Sequence, residues 1–253
     1  METTRQGAAV NARGIGVKGP RGWAFRGVDI AADPGSLIAV EGPSGSGRTC
    51  LLLALTGRMR ITEGHATVAG LPLPKRMGTI RGRTAIAHVP GIADLEPALT
   101  VAEHLQEQAL LGHRGTPLWG RRRKEATRAR VDAALAAAGL DPDTLPKGLR
   151  TCVRDLERLE ALRLSVALAV MHQPLLLAVD DLDLKLSTDE RAAAWQMLRD
   201  VALTGTTVAA VASDAPADAL IVSTAAPATT PHTPQPETHE EEAAHAFAET
   251  GRA

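Results

Sequence analysis

The chain reads as an α/β fold built on a mostly parallel sheet with helices on both faces. Three observations predict it. Short apolar segments alternate with helical ones across most of the sequence. Two of those segments, 36–40 and 175–179, are apolar nearly throughout, which suits strands buried on both faces. Between the first of them and a leucine-rich stretch lies the octet GPSGSGRT, residues 42–49, a glycine-rich loop placed where a strand should pass into a helix.

The elements follow in order. Runs at Val10–Val17 and Phe25–Ile30 predict strands, and the turn Asp33-Pro34-Gly35 leads into the strand 36–40. Arg48–Met59 predicts a helix; Gly64–Gly70 and Thr84–Val89 predict further strands. From Thr100 to about Val170 the pattern is helical. Thr100 and Glu103 have capping-box spacing, in which each side chain satisfies an orphan amide. A second helix is expected over Arg121–Ala138, stopping at Gly139, and a third over Val153–Val170, with Leu159, Leu162, Val166 and Val170 on one face. Pro174 opens the strand 175–179, Ser187 and Glu190 cap another helix closed by Gly205, and Thr206–Ala212 and Leu220–Val222 are the last strands.

Composition sets the bounds. A chain of 253 residues can bury one substantial core with a subdomain. The expected organisation is a loose leader over 1–8, a nucleotide-binding unit over 9–223 with a helical subdomain at about 100–172, and a tail over 224–253. That tail, rich in Ala, Thr, Pro, His and Glu, has too little apolar surface to offset its ordering entropy and is expected to be disordered. His232, His239 and His245 read as part of this solvated tail. The formal charge is −1, yet the tail holds five acidic residues against one arginine, so the remainder is mildly basic. That excess is too small to indicate nucleic acid. Cys50 and Cys152 are too few for a disulfide framework and are expected as reduced thiols. No apolar run approaches the roughly 18 residues a bilayer requires, so a soluble, cytoplasmic chain is expected, meeting a membrane only through a partner.

The loop carries the chemistry. Gly42, Gly45 and Gly47 allow a tight backbone whose amides converge on one anion, with Pro43, Ser44 and Ser46 completing the turn. The following helix adds its N-terminal amides and dipole, and these include the amide of Cys50. Thr49 offers a hydroxyl to Mg²⁺, and Arg48 stands where a lysine would reach the β- and γ-phosphates of a nucleotide. Arginine keeps the charge but is bulkier, with a planar fork. Cys50 sits where a helix N-terminus can lower a thiol pKa, although packing is the simpler role. Asp180 ends the apolar strand and is the expected Mg²⁺ partner; Asp181 is the candidate to orient an attacking water. Residues 121–130 hold six basic side chains. They read as a solvated helix face, with a membrane partner, its lipids or nucleic acid as alternatives; no aromatic interleaving supports base stacking, Trp119 standing alone.

On these residues the chain resembles the ATP-binding subunits of ABC transporters over about residues 10–222. The likeness rests on GPSGSGRT, on the strand ending in Asp180 and Asp181, and on the helical insert between them; the stretch Asp94–Leu105 is also similar to the family's segment after its glutamine loop. The resemblance implies a P-loop NTPase (RecA-like) core with a helical subdomain. It also implies ATP and Mg²⁺ as ligands, and a homodimer or heterodimer closing head to tail over ATP. A separate membrane permease would be driven from the cytoplasmic face, with no nucleic acid as partner.

The departures from the family pattern are systematic. Arg48 replaces the loop lysine, and Gly91 replaces the glutamine after Val89 and Pro90. Asp181 replaces the catalytic glutamate, and Ser213 the switch histidine. The signature positions hold Leu156, Glu157, Arg158, Leu159 and Glu160 instead of a serine and glycines. The tyrosine expected on adenine aligns near Gly19, leaving Trp23 as the nearby aromatic. A misplacement of about 1 Å can cost about 10²-fold in rate, and loss of one preorganised donor about 10²–10³-fold. ATP binding is therefore expected with weak hydrolysis. The alternative is a regulatory or scaffold subunit that binds ATP without cleaving it.

Overall fold

The computed structural model describes residues 7–111, 121–182 and 185–225. Most of the expected leader, Trp119, and the tail from residue 226 with its three histidines lie outside the described residues.

The described chain forms two sheets. Strands β1 (Val10–Gly19) and β2 (Gly22–Ala32) make an antiparallel hairpin; β3 (Leu37–Glu41) then leads through the glycine loop into α1 (Arg48–Leu55). β4 (Glu63–Val68), β5 (Leu71–Leu73), α2 (Met77–Arg81) and β6 (Thr84–Ala87) follow. The helical insert comprises α3 (Val101–Leu111), α4 (Arg121–Ala137), three short 3₁₀ turns and α5 (Arg158–Val170). β7 (Leu176–Val179), α6 (Thr188–Leu203), β8 (Thr207–Val211) and β9 (Leu220–Ser223) complete the fold.

The parallel sheet has the order β6-β7-β8-β3-β9, and the antiparallel one β2-β1-β4-β5. Helices cover both faces of the parallel sheet, as expected, and the antiparallel sheet, which was not expected, shares one of those faces with α1. Leu37, Ala39, Leu177, Val179, Val208 and Ala210 point to a core shared with α3, α4, α5 and α6. Ile38, Val40, Leu176, Ala178, Ala209 and Val211 point the other way, to α1 and the antiparallel sheet. Both faces of the central strands are buried, which is why their sequences are apolar without alternation.

Boundaries shift for local reasons. α1 ends at Leu55 instead of Met59, where the Thr56 hydroxyl donates to the Leu52 carbonyl and Gly57 takes a positive φ of 70°. α5 starts at Arg158, not Val153, because 153–155 form a 3₁₀ turn. β5 and α2 had no sequence signal. Ala8 is fully buried with its amide donating to the Leu175 carbonyl, and Thr224 is 3% exposed.

Candidate nucleotide-binding site

The loop at 42–47 joins the C-terminal end of β3 to α1, and its shape depends on two glycines. Gly47, at φ 84°, precedes the first helical residue; a Cβ there would collide with the Ala24 carbonyl of β2. Gly42, at φ 150°, leaves room for the Ser46 and Thr224 hydroxyls. The Ser46 amide donates to the Pro43 carbonyl at 3.1 Å, which closes the turn. No side chain caps the first turn of α1, so its leading amides remain for an anion, and that turn carries no acidic residue to compete.

The loop is latched from behind. The Ser46 and Thr224 hydroxyls lie 2.6 Å apart, and Thr224 reaches the Glu41 carbonyl through its amide at 2.9 Å and its hydroxyl at 3.2 Å. Sequence reasoning placed Thr224 in the tail and missed this contact.

Asp180 leaves the end of β7, two strands away from β3 in the sheet, and the sheet alone brings it to the loop. The Thr49 hydroxyl donates to Asp180 Oδ2 at 2.5 Å, and the Asp181 amide donates to Oδ1 at 3.0 Å. Asp180 is 2% exposed. Burial raises its pKa, opposed by the Thr49 hydrogen bond, while the charge of Asp181 adds to the rise. A hydroxyl and a desolvated carboxylate form a hard-oxygen pair. Such a pair suits Mg²⁺, which takes one or two carboxylates and completes its shell with water and phosphate.

Cys50 is half-buried against the apolar core below α1. Burial and the Asp180 charge push its thiol above the ordinary range, so packing overrides the helix-end effect. Arg48 begins α1, and its charge acts to lower the Asp180 pKa. Trp23 is engaged by cations: the Arg26 guanidinium lies 4.7 Å and the Lys18 ammonium 5.5 Å from its ring centroid.

One residue was passed over. His88, read as part of a strand, lies just past the end of β6 at φ 52°; Asp181, past β7, has φ 46°. Two neighbouring strand ends thus each place a non-glycine residue in the left-handed region, a costly conformation that concentrates at functional sites. His88 is half-buried, and burial followed by the charge of Arg158 lowers its pKa, with Asp181, Asp180 and Asp94 opposing. That shift favours the neutral imidazole, within electrostatic reach of Asp181 and Asp180. The available signal was a lone histidine between an apolar run and Val89-Pro90.

The signature positions do something different from an anion nest. Glu157 is the N-cap of α5, and Glu160 closes a reciprocal capping box, its Oε2 accepting from the Glu157 amide at 2.8 Å. This helix end is filled by its own carboxylates.

A sequence profile described as ABC transporter matches residues 25–182, more than half of the chain. The chain belongs to the ABC transporter family. This ABC domain is 28% identical over 184 residues to the Nod factor export ATP-binding protein I of Cupriavidus pinatubonensis, covering 72% of this chain and 51% of that protein. It is 35% identical over 131 residues to the cytochrome c biogenesis ATP-binding export protein CcmA of Cupriavidus necator, covering 51% and 52%. To the daunorubicin resistance ATP-binding protein DrrA2 of Streptomyces coeruleorubidus it is 28% identical over 203 residues, covering 80% and 58%. The chain spans about half the length of the curated relatives it matches.

Among solved structures, the ABC domain resembles a dimeric ATP-binding cassette in a post-hydrolysis state bound to ADP and Pi, with TM-score 0.63 and 22% identity over 81% of this chain and 88% of that one. It also resembles cbiO1 from Clostridium perfringens, part of the ABC transporter complex cbiONQ, with TM-score 0.67 and 17% identity over 83% and 80%. These likenesses establish the fold. No helix among the described residues is long and apolar enough to cross a membrane.

Proposed function

We propose that this chain is a transporter-type ATP-binding subunit that binds Mg-ATP to drive or gate a separate membrane permease from the cytoplasmic face, with weak hydrolysis. The observation that carries this reading is an asymmetry between two helix ends. The N-terminus of α1 is uncapped and paired with the Thr49–Asp180 contact, whereas the N-terminus of α5 is closed by Glu157 and Glu160. In this reading the amides from Gly42 to Cys50 and the Arg48 guanidinium hold the phosphates. Thr49 and Asp180 hold Mg²⁺, which would supply charge neutralisation at the phosphates. Asp181 positions water one carbon short of a glutamate's reach.

In a head-to-tail pair, α5 of one subunit faces the nucleotide of the other. Carboxylates there would repel phosphate, which favours a partner subunit of different sequence over a second copy. The same carboxylates favour the second reading, a regulatory subunit that binds ATP without cleaving it.

A single-turnover experiment separates them: purified protein in excess over labelled ATP and Mg²⁺, with retained nucleotide and its ADP fraction followed over time. ADP forming faster than in Asp181→Asn supports the transporter motor. ATP held intact supports the regulatory reading, or a heterodimer that needs its partner's signature for turnover. If neither nucleotide is retained, both fail.

A further inference from the structure

At the opposite end of the parallel sheet from the glycine loop lies a second cleft, of about 700 Å³. It opens at the N-terminal ends of β6 and β7, beside the edge strand β6, between the turn after α1, the C-terminal ends of α3 and α5, and the turn after α2. That volume falls within the range of small-ligand pockets.

Its lining is cationic. Arg58, Arg81 and Arg83 all contribute, His172 stands beside them, and no aspartate or glutamate is among the lining residues described. None of the three arginines has an ion pair with a carboxylate among the described residues. Arg58 is fixed in place. Its Nη1 donates to the Thr56 carbonyl at 3.1 Å and to Thr84 Oγ1 at 3.2 Å, and that hydroxyl itself donates to the Thr56 carbonyl at 3.1 Å. Thr56 and Thr84 are both buried. Two of the five guanidinium N–H groups are thereby used, leaving three for a ligand.

Burial and the neighbouring Arg81 charge both act against the charged form of Arg58, and Arg130 adds a further positive charge near His172. A half-buried guanidinium held rigidly beside a second one, with no anion among its protein partners, is a costly arrangement that an anionic ligand would relieve. Phosphate matches it best, because planar guanidinium forks bind phosphate oxygens in pairs. Ala85, Ala169 and Leu175 provide an apolar wall for the organic part of such a molecule.

We propose that this cleft is a second anion site, distinct from the glycine loop, that takes the phosphate group of a phosphorylated ligand on Arg58, Arg81 and Arg83. The site lies at the far end of the sheet from Asp180, so its occupancy and that of the loop are separable.

Inorganic pyrophosphate, titrated calorimetrically into the full chain and into Arg81→Ala/Arg83→Ala, tests it. Both side chains are exposed, and an unchanged melting temperature confirms that the double variant is folded. The expected result is loss of one binding event, or its weakening by about tenfold or more, with Mg-ATP binding unaltered. Arg58→Lys keeps the charge but not the fork and should give an intermediate loss. Superimposable isotherms for wild type and the double variant would overturn the proposal. Co-sedimentation with phosphatidylcholine vesicles containing phosphatidic acid distinguishes the sources. Vesicle binding lost in the double variant assigns a lipid headgroup; pyrophosphate binding without vesicle binding assigns a soluble phosphate ester.

Discussion

The Asp180 carboxylate is buried beside the Thr49 hydroxyl, and burial holds its pKa above the usual carboxylate range. An acid whose folded pKa exceeds its unfolded value contributes stability that is present below the unfolded pKa and is lost as pH rises through the folded pKa. At neutral pH the empty site therefore destabilises the fold. Asp180→Asn should melt at or above the wild-type temperature without nucleotide at pH 7, by up to about 1 kcal/mol, with the gap closing as the pH is lowered through the carboxylate range. With Mg-ATP the order should reverse, because only the wild type gains a cation partner. Thermal melts with and without Mg-ATP check both statements; a wild type more stable than the variant in the absence of ligand would refute the first. His88 has the opposite sign. Its depressed pKa contributes stability above the unfolded value, and that contribution is lost as pH falls through the folded pKa. His88→Gln should therefore lose less stability than wild type between about pH 7 and pH 5. His172, whose pKa is lowered in the same direction, remains as a common background in both proteins.

At the scale of elements, the two helix N-termini diverge through residue choice. α1 begins after a left-handed glycine with no side-chain cap, and its amides stay open. α5 begins with a capping box of two glutamates, a local arrangement that satisfies the helix and occupies the end where an anion would bind. Replacing both, as Glu157→Ser/Glu160→Gln, preserves capping-box chemistry while removing two negative charges. Stability should change by less than about 1 kcal/mol, whereas Glu157→Ala alone should cost about 1 kcal/mol. Denaturant unfolding measures both. Under the proposed reading, the double variant should also associate with itself more strongly when Mg-ATP is present.

For the whole molecule, the expectation is that wild-type chains do not pair on ATP binding alone. Sedimentation velocity with Mg-ATP should give the mass of one chain, and addition of a cassette subunit with an intact serine–glycine signature should shift it to a pair. A tight ATP-dependent homodimer would reject the inferred preference for a different partner. The two-sheet architecture explains how the site is held: α1 lies between the antiparallel sheet and the central one, so the loop is gripped by β2 at Gly47 and by the end of β9 at Ser46.

Much of the site was legible in the chain itself, because the glycines and the strand–loop–helix register are local properties. GPSGSGRT after 36–40 needs no distant contact to be read, and neither does an apolar run ending in Asp180. The antiparallel sheet, β5 and α2 were not legible, since which face of a strand is covered, and by what, depends on segments far apart in sequence. The same holds for the 2.5 Å Thr49–Asp180 contact across 131 positions and the Ser46–Thr224 latch across 178. The role of His88 also belongs here: a histidine's neighbours set its charge, and those neighbours, Asp181 and Arg158, arrive only when β6, β7 and α5 pack together. Sequence alone determined the family and the strand–loop–helix register of the glycine loop. Tertiary packing decided which carboxylates meet the loop, because desolvation and charge pairing act over a few ångströms between residues that the chain order keeps apart.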